Sequence, residues 1–172
     1  MNYKEKLHNI KAFVFDYDGV FTNGYLWIAN KENIFRSGNV KDGYVVQYAI
    51  KKGYKIAIIS GGKGESILSR TKMLQIEDVF LEKADKKEVF LNYLKDNNLK
   101  KEEVLYMGDD IPDYDVMLEA GIAACPKDAV EEIKNVAHYI SHKNGGDGCV
   151  RDVIEQVLRL HNKWFDKDSK MW

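Results

Sequence analysis

The sequence predicts an α/β fold, a doubly wound and mostly parallel sheet carrying a β-hairpin flap, and three observations lead to it. Short apolar or β-rich runs recur at residues 12–15, 54–59, 78–81, 104–107, 122–125 and 138–140. Stretches with helical spacing separate most of them. Polar residues of unusual chemistry stand just after four of these runs: Asp16 and Asp18, Ser60, Lys86, and Asp109 with Asp110 and Asp113. In a parallel sheet all strand ends of one sense lie along one edge, so residues far apart in sequence can meet in one crevice.

Residues 1–9 are polar and mixed, a short lead-in. The run 12–15 is a buried strand ending in Asp16-Tyr17-Asp18-Gly19, where glycine lets the chain turn. Residues 25–36 alternate apolar and polar positions, among them Tyr25, Trp27 and Ile34, around Asn30-Lys31-Glu32-Asn33, which predicts a hairpin. Asp42-Gly43 opens a helix through Val45, Val46, Ala49 and Ile50, and Gly53 closes it as a left-handed cap. The strand 54–59 runs into Ser60-Gly61-Gly62-Lys63-Gly64, and a helix follows from Glu65 to about Leu74.

After the strand 78–81, Asp85 and Glu88 have capping-box spacing for a helix through Leu94, with Lys86 in its first turn. The strand 104–107 is broken by Gly108-Asp109-Asp110-Ile111-Pro112-Asp113, and Pro112 suits the start of the next helix. Asp128 and Glu131 are placed to cap a helix between the last two strands. A terminal helix over about 148–161 carries Val150, Val153, Ile154, Val157 and Leu158 on one stripe. The pattern is Rossmann-like, and with no internal repeat or linker it predicts a single domain over residues 1–172.

With 45% hydrophobic and 31% charged residues the chain reads as an ordinary globule, and a net charge of -1 leaves no basic excess for nucleic acid. The apolar runs are too short to cross a bilayer. Cys125 and Cys149 are too few for a disulfide framework, and no charged-then-apolar leader precedes the first strand, so a cytoplasmic setting is expected. His8, His138, His142 and His161 lack metal-ligand spacing, the two cysteines read as packed thiols, and Lys51-Lys52 as a helix end. Lys100-Lys101-Glu102-Glu103 reads as a solvated turn.

Two acids at a strand end repel each other and need a cation or a proton to coexist. The further ligands of an EF-hand do not follow Asp18. Several carboxylates around a hard ion suit magnesium, which bridges one or two acids to a phosphate. Lys86 and Ser60 offer a point charge and a hydroxyl to the remaining phosphate oxygens, and amides of the turn Gly61 to Gly64 add donors.

The ordered set Asp16-Tyr17-Asp18-Gly19-Val20-Phe21-Thr22, Ser60, Lys86 and Gly108-Asp109-Asp110-x-x-Asp113 resembles the four signatures of the haloacid dehalogenase superfamily of phosphatases. The resemblance implies that Asp16 is the nucleophile and Asp18 the general acid and base. It further implies magnesium on Asp16, the backbone carbonyl of Asp18 and Asp109, with Asp110 or Asp113 in support. Further stretches, Asn23-Gly24, Asn39-Val40-Lys41-Asp42-Gly43 and Gly145-Gly146-x-Gly148-x-Val150-Arg151, are similar to one subfamily, the 3-deoxy-D-manno-octulosonate 8-phosphate phosphatases. That likeness implies a phosphorylated sugar acid as substrate, a role in lipopolysaccharide precursor synthesis and a homotetramer, with no nucleic-acid or membrane partner.

The chain departs from the subfamily at Gly62-Lys63, where arginine is frequent after the first glycine, and at Asp147, also frequently arginine. A substrate carboxylate needs a cation, and Gly61, Gly62, Lys63, Arg70 and Arg151 are the candidate substrate-binding positions. The intervals 24–41 and 61–85 leave no room for the separate cap domain of many relatives, so neighbouring subunits are expected to cover the site with the Tyr25/Trp27 hairpin and the tail from Trp164-Phe165 to Trp172. The rival substrate is a nine-carbon ulosonate 9-phosphate of sialic-acid-type metabolism. A phospho-accepting receiver domain is the rival of another class, but receivers carry their adjacent acidic pair early, whereas Asp109-Asp110 comes late here.

Overall fold

The computed structural model describes residues 2–30 and 33–170; Met1, Lys31, Glu32, Met171 and Trp172 lie outside the described residues. A parallel sheet of six strands has the order β5-β4-β1-β6-β7-β8, formed by β1 (Ala12–Phe15), β4 (Lys55–Ile59), β5 (Asp78–Phe80), β6 (Val104–Met107), β7 (Ile122–Cys125) and β8 (Tyr139–Ile140). From β1 the chain builds outward through β4 and β5, then returns to β6 on the other side of β1. The reversal beside β1 is where open α/β sheets form their ligand crevice. Phe15 pairs in register with Ile58 and Met107, so the carboxyl ends of β4, β1 and β6 are level.

Alternation along β1 sends Phe13 and Phe15 into one apolar cluster and Ala12 and Val14 into another. The first face is covered by α2 (Val40–Lys51), α3 (Glu65–Met73) and α7 (Cys149–Leu160), the second by α4 (Lys86–Asp96), α5 (Tyr114–Glu119) and α6 (Glu131–Val136). Both faces of β1 are fully buried, which is why its sequence is continuously apolar. A separate two-stranded ribbon, β2 (Trp27–Ile28) with β3 (Ile34–Phe35), forms the predicted hairpin. The lead-in packs as α1 (Tyr3–Lys6) and a 3-10 turn, with Leu7 buried and Tyr3 stacked on Tyr139 at 4.7 Å.

Three local expectations are corrected. Helix α2 starts earlier, because the Asn39 side chain accepts from the amides of Lys41 (2.8 Å) and Asp42 (3.2 Å) and so caps it. Helix α6 has Val130 at its N-cap without a side-chain bond, since Asp128 instead accepts from the Gly145 amide at 2.9 Å. Lys52 is more than a helix end: its ammonium lies 2.6 Å from Asp166 and 2.7 Å from Asp168, tying the tail to α2. Trp164 packs edge-on against Tyr48 within its own chain, while Phe165 is 73% exposed.

The glycine-rich segment before α7 is the backing of the loop after β1. A Cβ on Gly145 would lie 1.9 Å from the carbonyl oxygen of Gly19, and one on Gly146, at φ +67, would lie 2.5 Å from the amide nitrogen of Asn23. Asn39 Nδ2 donates to the Gly146 carbonyl (3.2 Å), and Asp42 accepts from the Arg151 amide (2.7 Å). The start of α2, the start of α7 and the loop after β1 are thus one packed unit. Gly145→Ala is expected to cost about 1–3 kcal/mol by forcing that loop aside, read as a lower urea midpoint at unchanged slope. An unaltered midpoint would mean that the loop yields freely.

Candidate active site

Strand β1 hands over to Asp16 while still in the sheet, for the Asp16 amide donates to the Met107 carbonyl at 2.9 Å. The chain then turns tightly, with the amides of Phe21 (2.9 Å) and Thr22 (3.3 Å) both returning to the Tyr17 carbonyl. Gly19, at φ +86, has no room for a side chain: a Cβ would lie 1.9 Å from Asp109 Oδ2. The loops after β1 and β6 are therefore pressed together, acid against glycine.

Lys86, the first residue of α4, is set by the N-cap Asp85, whose carboxylate accepts from the Glu88 amide at 3.0 Å. Its ammonium is buried between two acids, 3.0 Å from Asp16 Oδ1 and 2.8 Å from Asp113 Oδ1. Asp113, fully buried, accepts also from the Tyr106 hydroxyl (2.6 Å) and from the amides of Asp109 (3.0 Å) and Asp110 (3.4 Å). Four donors saturate it, so it organises the loop after β6 and anchors Lys86. Asp110 is exposed and caps the 3-10 turn at Ile111 (2.8 Å).

The remaining acids are not satisfied in this way. Among the described residues Asp109 Oδ1 is buried without a hydrogen-bond partner, and Asp16 Oδ1 meets Lys86 only as an ion pair, without an aligned hydrogen bond. Burial, then the charge of Asp113, pushes Asp16 up to about 7; burial, then Asp16 and Asp113, pushes Asp109 up to about 8. Burial opposes the charge of Lys86, but the two carboxylates outweigh it and raise its pKa. Carboxylate oxygens of Asp16, Asp109 and Asp113 lie within 4.8 Å of one another. Oxygen donors, orphaned atoms and unrelieved repulsion are what a small hard dication such as magnesium resolves.

Beside these groups Ser60 is buried at the end of β4, its Oγ accepting from the Gly62 amide at 3.0 Å, which leaves its O–H to donate elsewhere. Asp16, Asp18, Ser60, Lys86, Asp109 and Asp113 line one cleft of about 300 Å³, with Gly61 and Gly62 at its side. Larger cavities lie away from it, one of about 800 Å³ between the start of α2 and α7.

Of the other candidate cations, Lys63 is exposed in an adjoining groove. Arg70 donates to the Asn39 carbonyl (3.3 Å), and Arg151 pairs with Glu155 (3.0 Å) and lies over Trp164. Sequence reasoning missed Arg36. It directly follows β3, and its Nε and Nη2 donate to the two oxygens of Asp18 at 2.8 and 3.1 Å. A signal existed, since alternation puts Arg36 on the same face of the hairpin as the half-buried Ile34.

The family of haloacid dehalogenase-like hydrolases matches residues 71–153. The 3-deoxy-D-manno-octulosonate 8-phosphate phosphatase of Salmonella typhi is 31% identical over 158 residues, 92% of this chain and 84% of its own length. A crystal structure of the Moraxella catarrhalis enzyme of that name, in complex with magnesium, phosphate and the sugar acid KDO, superposes with a TM-score of 0.88 at 31% identity, covering 93% of this chain and 92% of that one. The cobalt-bound form of the Haemophilus influenzae enzyme gives a TM-score of 0.90 at 27% identity, over 97% and 99% of the two chains.

Raised values of Asp16 and Asp109 mean that the metal-free fold binds protons the unfolded chain has released. Their contribution to stability is full below the ordinary carboxylate range and is lost as pH rises through about 7 and 8. Magnesium is therefore expected to raise Tm by several degrees at about pH 8 and by much less at about pH 5.5, where both acids hold protons. Equal shifts at the two pH values in a thermal melt would exclude these acids as its ligands.

Proposed function

Because the chain belongs to the haloacid dehalogenase-like phosphatases, of the 3-deoxy-D-manno-octulosonate 8-phosphate phosphatase type, we propose that it hydrolyses this eight-carbon sugar-acid phosphate to the free sugar acid and phosphate. The reading includes dependence on magnesium, an aspartyl-phosphate intermediate on Asp16, and a place in lipopolysaccharide precursor synthesis. What supports it most is the buried cluster in which Asp16, ion-paired with the Lys86 ammonium, faces Asp109 and Asp113 across one cleft.

In the first step an Asp16 carboxylate oxygen bonds to phosphorus as the phosphorus–oxygen bond to the sugar breaks, and Asp18 gives its proton to the departing oxygen. In the second step Asp18 takes a proton from water as the water oxygen bonds to phosphorus; the bond to Asp16 breaks and phosphate leaves. Asp16, Asp109 and the backbone carbonyl of Asp18 would hold magnesium, which would supply positive charge against the phosphoryl oxygens. Ser60 donates its free O–H to one phosphoryl oxygen and Lys86 offsets the charge of others, kept in place by Asp113. Asp110 supports the loop from outside.

With saturating magnesium, phosphate release from the eight-carbon ester is expected in many-fold excess over enzyme, and Asp16→Asn to lower kcat by at least about 10³-fold. The nine-carbon ulosonate 9-phosphate is the control: equal inactivity on both esters would reject the substrate and leave the phosphatase chemistry standing.

The open cleft and the outward hairpin favour a homotetramer in which neighbours complete the site. Tyr25, Trp27, Ile28 and Phe35 are each more than half exposed, a cluster of apolar surface on one short ribbon. Sedimentation velocity is expected to give a tetramer in the active preparation; a fully active monomer would end this part of the reading.

A further inference from the structure

Arg36 has a side chain only 4% exposed, although the hairpin that carries it faces solvent. Its guanidinium is fixed at three points: Nε to Asp18 Oδ1 (2.8 Å), Nη2 to Asp18 Oδ2 (3.1 Å) and Nη1 to Ser66 Oγ (3.0 Å). Room for it exists because Gly62 has no side chain; a Cβ there would lie 2.9 Å from Asp18 Oδ2 and 3.4 Å from Arg36 Nη2. One N–H on each terminal nitrogen remains unused by these bonds.

Arg36 also lines a second groove of about 370 Å³, with Gly62, Lys63, Glu82 and Lys83 among others, which shares Gly61 and Gly62 with the catalytic cleft. With Arg36 offset by Asp18, Lys63 and Lys83 against Glu82 leave the groove net positive, which suits an anion. Its far wall is held in shape, since Glu82 adopts φ +57 and its amide bonds to the Gly62 carbonyl (3.1 Å), while the Lys83 amide bonds to Ser60 (3.1 Å). A substrate whose phosphate sits by Ser60 and Lys86 would pass over Gly62 and place its other end in this groove.

Both oxygens of Asp18 are taken by Arg36 in this arrangement, so Asp18 is not free to serve a leaving oxygen. We propose that Arg36 is a specificity-determining residue that exchanges its bidentate partner from Asp18 to the carboxylate of the substrate. A substrate that brings its own carboxylate thereby frees Asp18, and an ester without one leaves it locked. Discrimination then appears in kcat as well as in KM, because the released group is one that acts in the reaction. The proposal rests on the phosphatase reading above and adds to it the residue that reads the acid end of the substrate.

The test compares Arg36→Ala and Arg36→Lys with the unaltered protein on the eight-carbon ulosonate 8-phosphate and on mannose 6-phosphate, which has no carboxylate. Loss of a bidentate charged contact predicts a fall in kcat/KM for the ulosonate of about 10- to 100-fold in Arg36→Ala, with partial recovery in Arg36→Lys. Over the same change kcat for mannose 6-phosphate is expected to rise, because Asp18 is no longer locked, and an unchanged value overturns the exchange. If kcat falls in step on both esters, Arg36 only positions Asp18 and the exchange is overturned. Calorimetric binding of the unphosphorylated eight-carbon sugar acid needs no turnover: binding weakened about tenfold or more in Arg36→Ala supports the exchange even where phosphate release fails, and unchanged binding overturns it.

Discussion

Crowding of like charge at the end of β1 is the constraint around which the site is arranged. Asp16, Asp109 and Asp113 bring oxygens within 4.8 Å of one another in a largely buried place, which would be untenable for three bare carboxylates. One of the three is neutralised and fully hydrogen-bonded: Asp113 takes the Lys86 ammonium, the Tyr106 hydroxyl and two amides. The other two keep orphaned oxygens and raised pKa values. The fold therefore divides its acids into one that is spent on architecture and two that keep unsatisfied oxygens, and the difference lies in the donors that α4, β6 and the loop after β6 turn toward Asp113.

Holding such a cluster against its own repulsion requires stiffness behind it. The parallel sheet gives it on one side through the level ends of β4, β1 and β6. On the other side the backing comes from far along the chain, where Gly145 and Gly146 lie against the backbone of Gly19, Thr22 and Asn23. Asn39 and Asp42 then lock the starts of α2 and α7 to that contact. Interiors transmit displacement because they are close-packed, so these glycines act on the site through shape alone. The motif segments outside the acids and Lys86 have this structural meaning.

The hairpin plays the opposite part. Its strands pair over only two residues each and present large apolar side chains to solvent, yet Arg36 at its base is buried against Asp18. The exposed ribbon is thus pinned to the loop after β1 by a charge pair. Because an arginine–carboxylate fork is strong when shielded but can be replaced by another carboxylate of the same geometry, the pin is also a place where a ligand can compete.

The sequence by itself determined the strand order of events along the chain, the hairpin, and the identity of the acids, Ser60 and Lys86, because strand alternation, glycine turns and capping residues act over a few neighbours. It also carried the family signatures, since these are fixed spacings within single loops. Helix α2 starts before the expected Asp42 because Asn39 caps it locally, whereas Asp128 does not cap α6 because its side chain bonds across the fold to Gly145. Only the tertiary structure decided that Asp113 is saturated while Asp109 is orphaned, that Arg151 faces Trp164, and that Arg36 grips Asp18 eighteen residues away. Such pairings depend on which loops the sheet sets side by side, and no local pattern of residues encodes that distance.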